Sequence, residues 1–242
     1  MQHLIIGKGE IGNTIGDVLR ENNQKVFFYD SNPKLSENIS GMTFSIIHIC
    51  FGYSDTFVES VNKYFDDFKP SIVIVHSTIK PGTSKKIIEH VINYIYSPVR
   101  GRHKNTLLEH VMAFDKYFYA TTQKAIEKMH FIFSNISLQR VKSVESLETA
   151  KIMCTSYMYW CLMFQKVMYD YCIENKLDYN FIYKEWNETY NNMCDDETFP
   201  KRFSRPIYDN MPGGIGGHCL VPNISLIDNQ ITEILRKFNE SL

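Results

Sequence analysis

Residues 2–12 read Gln2-His3-Leu4-Ile5-Ile6-Gly7-Lys8-Gly9-Glu10-Ile11-Gly12, an apolar run that breaks into a glycine cluster and reopens as a helix. Ile11, Ile15, Val18 and Leu19 recur at the spacing that places them on one helical face. Between a strand and a helix, Gly-x-Gly-x-x-Gly is a dinucleotide-binding signature. The first glycine permits a tight turn, the second lets the backbone approach a pyrophosphate, and the third lets helix and strand pack closely. The helix N-terminus adds unpaired N–H groups and partial positive charge. Asp30 ends a second apolar run, Lys25–Tyr29, close to the offset of about 20 residues at which an acid accepts from ribose hydroxyls. An acid there repels a 2′-phosphate, so NAD is the expected cofactor. Gly7, Gly9, Glu10, Ile11, Gly12 and Asp30 are its candidate ligands.

Working outward, Phe44–Cys50 and Ser71–His76 read as a third and a fourth strand, with a helix from about Ser54 to Phe65 between them. The second of these, SIVIVH, is the continuous β-branched kind buried on both faces of a parallel sheet. Tyr94–Tyr96 and Lys116–Ala120 are further strand candidates. This alternation predicts an α/β fold: a Rossmann-type doubly wound parallel sheet, followed by a smaller, mainly helical domain built on one long helix. That helix is Val144–Asn175, which lacks Pro and Gly and is apolar on more than one stripe. Tyr179–Asn191 reads as a helix, Asp209–Pro222 as a glycine-rich loop and Ile227–Phe238 as a final helix. The expected domains are 1–143 for the dinucleotide and 144–242 for substrate and dimerisation.

Composition narrows the function classes. The 242 residues are 44% hydrophobic and 22% charged with a net charge of −1, ordinary globular values with no polybasic block for nucleic acid. No apolar stretch spans a bilayer, and residues 1–6 are too short and uncharged for a signal peptide. The six cysteines form no CxxC pair, so neither a zinc knuckle nor a disulfide framework is expected, and no metal. These features predict a soluble cytoplasmic protein with reduced thiols, acting on a small molecule rather than on nucleic acid or membrane.

Three further stretches carry chemistry. His76-Ser77-Thr78-Ile79-Lys80-Pro81-Gly82-Thr83 follows the fourth strand, at the strand ends where open α/β sheets bind ligands. Ser77 and Thr78 either touch cofactor or substrate there or cap the next helix. Lys151, one turn into the long helix, either stabilises a developing oxyanion or is a solvated helix residue. Pro212-Gly213-Gly214-Ile215-Gly216-Gly217-His218-Cys219 sets four glycines beside a thiol, which suits backbone wrapped around a ligand. A thiolate there attacks an aldehyde, and a second hydride transfer makes the thioester. His218 or Lys151 would lower the thiol pKa. Alternatively, Cys219 is a small buried hydrophobe.

Taken together, GKGEIG with Asp30, HSTIKPGT, Ser97-Pro98, the Glu148-Thr149-Ala150-Lys151 segment and PGGIGGHCLVP resemble the UDP-glucose/GDP-mannose dehydrogenases over residues 1 to about 225. That family oxidises a nucleotide-sugar alcohol to a carboxylate with NAD. The resemblance implies that Cys219 is the catalytic thiol, Lys151 the oxyanion lysine and Thr78 the residue ordering the catalytic water. It also implies a homodimer through the long helix, 144–175. The chain departs from the family at Val99, Thr155 and Asn223, where an acid, an asparagine and an aspartate are usual, and lacks the C-terminal nucleotide-holding domain. Either the substrate is smaller or a partner completes the site. Arg100-Gly101-Arg102-His103-Lys104 is a candidate anion grip or a solvated loop. Arg100, His103, Gly216, His218 and Asn223 are the candidate substrate contacts. Two alternatives accompany the oxidation to an acid: a single-hydride dehydrogenase or reductase, and a catalytically reduced module or partner-dependent subunit that binds NAD or a nucleotide sugar.

Overall fold

A computed structural model of the chain describes residues 1–102, 106–194, 204–210, 213–216 and 220–241. The first half alternates β1 (Gln2–Ile6), α1 (Glu10–Glu21), β2 (Lys25–Tyr29), β3 (Ile46–Ile49), α2 (Phe57–Phe68), β4 (Ile72–Val75), α3 (Thr83–Ile88) and β5 (Tyr94–Tyr96). Then come α4 (Leu107–Ala113), β6 (Lys116–Ala120), α5 (Gln123–Ile132), β7 (Leu138–Arg140) and α6 (Val144–Glu174). The strands form one seven-stranded sheet in the order β2-β1-β3-β4-β5-β6-β7. The strand order reverses between β1 and β3, and the crevice at such a switch point is where open α/β sheets hold ligands.

The sheet is the doubly wound, mostly parallel one expected, with one departure at its edge. β6 runs antiparallel to β5, and β7 then pairs parallel to β6. Between β5 and β6 the described residues hold one helix, the seven-residue α4, about 10 Å long. β6 is thus an antiparallel addition to an otherwise parallel sheet, as many α/β sheets carry.

Both faces of the sheet are apolar. Ile5, Ile46, Ile74, Ile95 and Phe118 pack with Val18 and Leu19 of α1, Val111 of α4 and Met129 of α5. On the other face, Leu4, Ile47, Val73 and Tyr94 pack with Val61 of α2, Ile87 of α3 and the opening of α6 at Val144 and Leu147. Helix α6 starts at a serine cap, Ser146 N–H donating to Ser143 Oγ at 3.1 Å. It ends where Lys176 turns left-handed at φ 55°.

The chain divides into two compact units, Met1–Lys151 and Ile152–Leu242. In the second, a π-helical turn (Asn180–Glu185) runs into α7 (Trp186–Met193), followed by α8 (Leu220–Ile224) and α9 (Gln230–Glu240). Tyr159 of α6, Leu220, Ile224 and Leu235 form its small core. The glycine-rich stretch expected to run as loop to Pro222 is already helical from Leu220. The last helix begins at Gln230, three residues later than its apolar pattern suggests, because Asn229 caps it in a reciprocal box with Thr232.

Candidate functional site

The glycine turn has the shape that its three glycines imply. Gly7 adopts φ 100°, which disfavours any side chain. A Cβ on Gly12 would stand 1.9 Å from the Gly7 carbonyl oxygen, so α1 rests directly on the turn. Gly9 is different: nothing lies within 4 Å of a Cβ built there, leaving the backbone open to solvent. Gly9 is also the N-cap of α1, whose first turn has no side-chain cap. Glu10 is exposed and Ile11 half-buried in that first turn.

Asp30 is locked to this turn. Its Oδ2 accepts from the Lys8 N–H at 2.7 Å and its Oδ1 from the Asn32 N–H at 2.8 Å. A carboxylate has about four lone-pair positions, so it retains capacity for two ribose hydroxyls. An open glycine backbone, an uncapped helix N-terminus and a pinned acid together fit a dinucleotide.

The loop after β4 divides its two candidates. Ser77 is buried, and its hydroxyl donates to the Phe51 carbonyl at 2.6 Å, stitching β4 to the end of β3. Thr78 is half-buried and its hydroxyl bonds to no described residue, so it is the group available to a ligand. Sequence reasoning missed what holds this loop. Glu148 of α6, fully buried, accepts from the Gly82 N–H at 2.7 Å and from the Ser84 N–H at 2.8 Å. Burial raises the Glu148 carboxyl pKa, against hydrogen bonds that lower it. Lys151 follows three residues later, one helical turn on, and is half-buried. One side chain thus fixes the loop bearing Thr78 to the helix bearing Lys151. Only its spacing from Lys151 hinted at this in the sequence. Glu148→Ala is expected to lower stability by about 2–3 kcal/mol, because two backbone donors lose their acceptor. Glu148→Gln, which keeps one acceptor, should lose less. Urea unfolding midpoints of the two variants check the order.

The positions that depart from the family pattern are accounted for. Val99 is buried in the core beneath α1 and α5, where it presents no polar group. Thr155 and Asn223 meet each other, Asn223 Nδ2 lying 3.4 Å from Thr155 Oγ1. The Arg100 guanidinium donates to the Asp115 carbonyl at 2.7 Å and lies over the Phe114 and Tyr117 rings. Gly216 is exposed. His103, His218 and Cys219 lie outside the described residues.

No protein-family model matches the chain, and no curated protein sequence does. Solved structures do match in fold. A UDP-D-ManNAc dehydrogenase from Pyrococcus horikoshii superposes with a TM-score of 0.78 at 15% identity, over 99% of this chain and 68% of that one. The chain has the fold of a nucleotide-sugar dehydrogenase. A UDP-N-acetyl-mannosamine dehydrogenase from Staphylococcus aureus matches at 0.71 and 17% identity, over 100% of this chain and 68% of that one. The same dehydrogenase fold covers 92% of a 3-hydroxyisobutyrate dehydrogenase from Mycobacterium tuberculosis and 99% of this chain, at a TM-score of 0.66 and 10% identity.

Proposed function

We propose that the chain is an NAD-dependent oxidoreductase acting on the alcohol of a nucleotide sugar or a related sugar. The observation that carries this reading is the glycine cradle with its pinned Asp30, in the same unit as the Glu148-fastened Thr78 loop and Lys151. The dinucleotide-binding part is residues 1–143, with residues 144–242 serving substrate and dimerisation. When bound, NAD supplies a hydride acceptor. Gly7, Gly9, Glu10, Ile11 and Gly12 hold its pyrophosphate end, Asp30 its ribose, and Ser77 shapes the strand end beneath it.

The alcohol loses a hydride and a proton to become an aldehyde. The Cys219 thiolate adds to that aldehyde, with Lys151 stabilising the oxyanion. Loss of a second hydride leaves a thioester, and water ordered by Thr78 hydrolyses it to the acid and the free thiol. Arg100, His103, Gly216, His218 and Asn223 contact the substrate. A specific observation supports a shorter course as the second reading. With Val99 in the core and Asn223 turned to Thr155, neither position offers a carboxylate to activate that water.

The working form is a homodimer through helix 144–175 in the cytoplasm. Tyr157, Trp160, Phe164 and Tyr171 are exposed along α6. Tyr157, Trp160 and Phe164 line, with Tyr183 and Trp186, a groove of about 450 Å3. Among the described residues no helix is long and apolar enough to cross a membrane.

The test is NADH formation with a panel of nucleotide sugars and simpler sugars, run beside Cys219→Ser, with NADH counted per product. The thioester route gives a ratio of about 2, and Cys219→Ser abolishes acid formation while NAD binding survives. A ratio of about 1, unmoved by the variant, assigns the single-hydride course. No turnover with any substrate, with NAD still bound, overturns the enzymatic reading.

A further inference from the structure

In the second unit, residues 204–210 lead directly into the glycine loop that runs to Cys219, and side chains from three helical elements grip them in turn. Asn191 of α7 pairs with Arg205 as a neighbouring strand would. Its Oδ1 accepts from the Arg205 N–H at 2.7 Å and its Nδ2 donates to the Arg205 carbonyl at 2.9 Å. One turn earlier on the same face, Asn187 Oδ1 accepts from the Arg205 guanidinium at 3.0 Å. Tyr183, 3% exposed, makes the next bonds: its hydroxyl donates to the Pro206 carbonyl at 3.4 Å and accepts from the Tyr208 N–H at 3.3 Å. Buried Gln165 of α6 completes the row, donating to Asn210 Oδ1 at 3.2 Å. Tyr183 lies in the π-helical turn, a rare geometry frequent at functional sites.

Among the described residues, the Tyr183 hydroxyl and the Asn191 side chain bond only to this strap. The loop that follows has little hold of its own. Nothing lies within 4 Å of a Cβ built on Gly213 or Gly216, and beside Gly214 there is only Asn239 Oδ1, at 3.6 Å. Ile215 packs against the small core. Past Cys219 the chain is fixed again: Leu220 and Ile224 are buried in the core with Tyr159, and Asn223 meets Thr155.

We propose that Tyr183 and Asn191 are positioning residues for Cys219: they pin the strap, and so set where the glycine loop presents the thiol. Glycine has the widest backbone freedom of any residue, so a glycine-rich span takes its placement from its two ends. Helix α8 fixes one end and the strap the other. Addition of a thiolate to a carbonyl tolerates little error, and a misplacement of about 1 Å costs about a hundredfold in rate. The precision therefore comes from the supporting side chains rather than from the loop. This assignment rests on the reading of Cys219 as the reactive thiol, but not on which substrate it attacks or whether one hydride moves or two.

The test needs neither substrate nor NAD. Alkylation of the native protein by iodoacetamide, resolved peptide by peptide in a mass spectrometer, gives the rate at each cysteine as a function of pH. Cys154, exposed on α6, is the internal reference. In the parent the midpoint of the Cys219 profile should stand apart from that of Cys154. In Tyr183→Phe, which keeps the ring and loses only the hydroxyl, it should move towards the Cys154 value by about 0.5 in pH, about a threefold change in thiolate. Asn191→Ala should do the same, and Asn191→Asp, which still accepts from the Arg205 N–H, should move it less. The Cys154 profile should stay in place throughout. A parent midpoint equal to that of Cys154 overturns the assignment. So does a Cys219 profile unmoved in both variants while their urea midpoints fall, which makes the anchors merely structural. A protein silent in the NADH assay overturns the enzymatic reading instead and leaves the alkylation result standing.

Discussion

Gly12→Ala is expected to lose both fold stability and NAD binding, whereas Gly9→Ala, three residues away, should lose binding alone. At Gly12 an added Cβ would stand 1.9 Å from the Gly7 oxygen and 3.2 Å from a methyl of Ile5, so α1 must lift from β1. Overpacking of this kind costs about 3 kcal/mol when the obstacle is backbone and has no rotamer to yield. Lifting α1 also withdraws the N–H groups of its first turn from the pyrophosphate. Gly9 has φ −83° and ψ −166°, a conformation alanine adopts freely, and open space beside it. Its variant should unfold within about 0.5 kcal/mol of the parent, as for a surface substitution. The added methyl then occupies the space through which a dinucleotide approaches. Urea unfolding and calorimetric NAD titration separate the two effects. A Gly9→Ala protein with parental affinity would place the cofactor elsewhere.

Acid should unfold this protein early. Burial lowers the His3 pKa from 6.5 to about 4 and sets His48 and His76 well below 6.5. The unfolded chain therefore binds more protons than the native one between about pH 6.5 and 4, and stability declines as pH falls through that window. For His3 alone the loss is about 3 kcal/mol, and the other two rings add to it with the same sign. Glu148, whose pKa is raised, opposes the trend as a single group. Above neutrality Lys116 extends it: held near 7 against 10.5 in the open chain, it makes the fold more stable as pH rises between those values. Urea midpoints at pH 8, 6.5, 5 and 4 measure the slope. A flat profile below pH 6.5 would show that the rings are not held neutral.

The glycine turn, the long helix and most strands were legible because each is written in adjacent residues: Gly7, Gly9 and Gly12 within six positions, the apolar run of β4 within four. Strand direction was not. Nothing in Lys116–Ala120 says which way β6 runs, since alternation is the same read in either direction, and three-residue β7 is too short to show a period. The polar contacts that organise the site join distant residues. Glu148 and Gly82 are 66 positions apart, Thr155 and Asn223 68, His3 and His48 45. His48 between Ile47 and Ile49 is the one residue of β3 that hints at such a contact. In the sequence Lys116 is only the first residue of a strand candidate, and the structure shows its amine buried against the Ser97 carbonyl and the Phe133 ring.

The bond from the Lys8 amide to Asp30 has a bearing on redesign. The residue that would discriminate between the two nicotinamide cofactors is also a fastener of the turn that receives either. Replacing Asp30 by a small or basic residue, the obvious route to accepting a phosphorylated ribose, unfastens the Lys8 amide in the same step. A preference for the unphosphorylated ribose would therefore be protected against single substitutions. A switch of cofactor needs a second change that returns an acceptor to that amide.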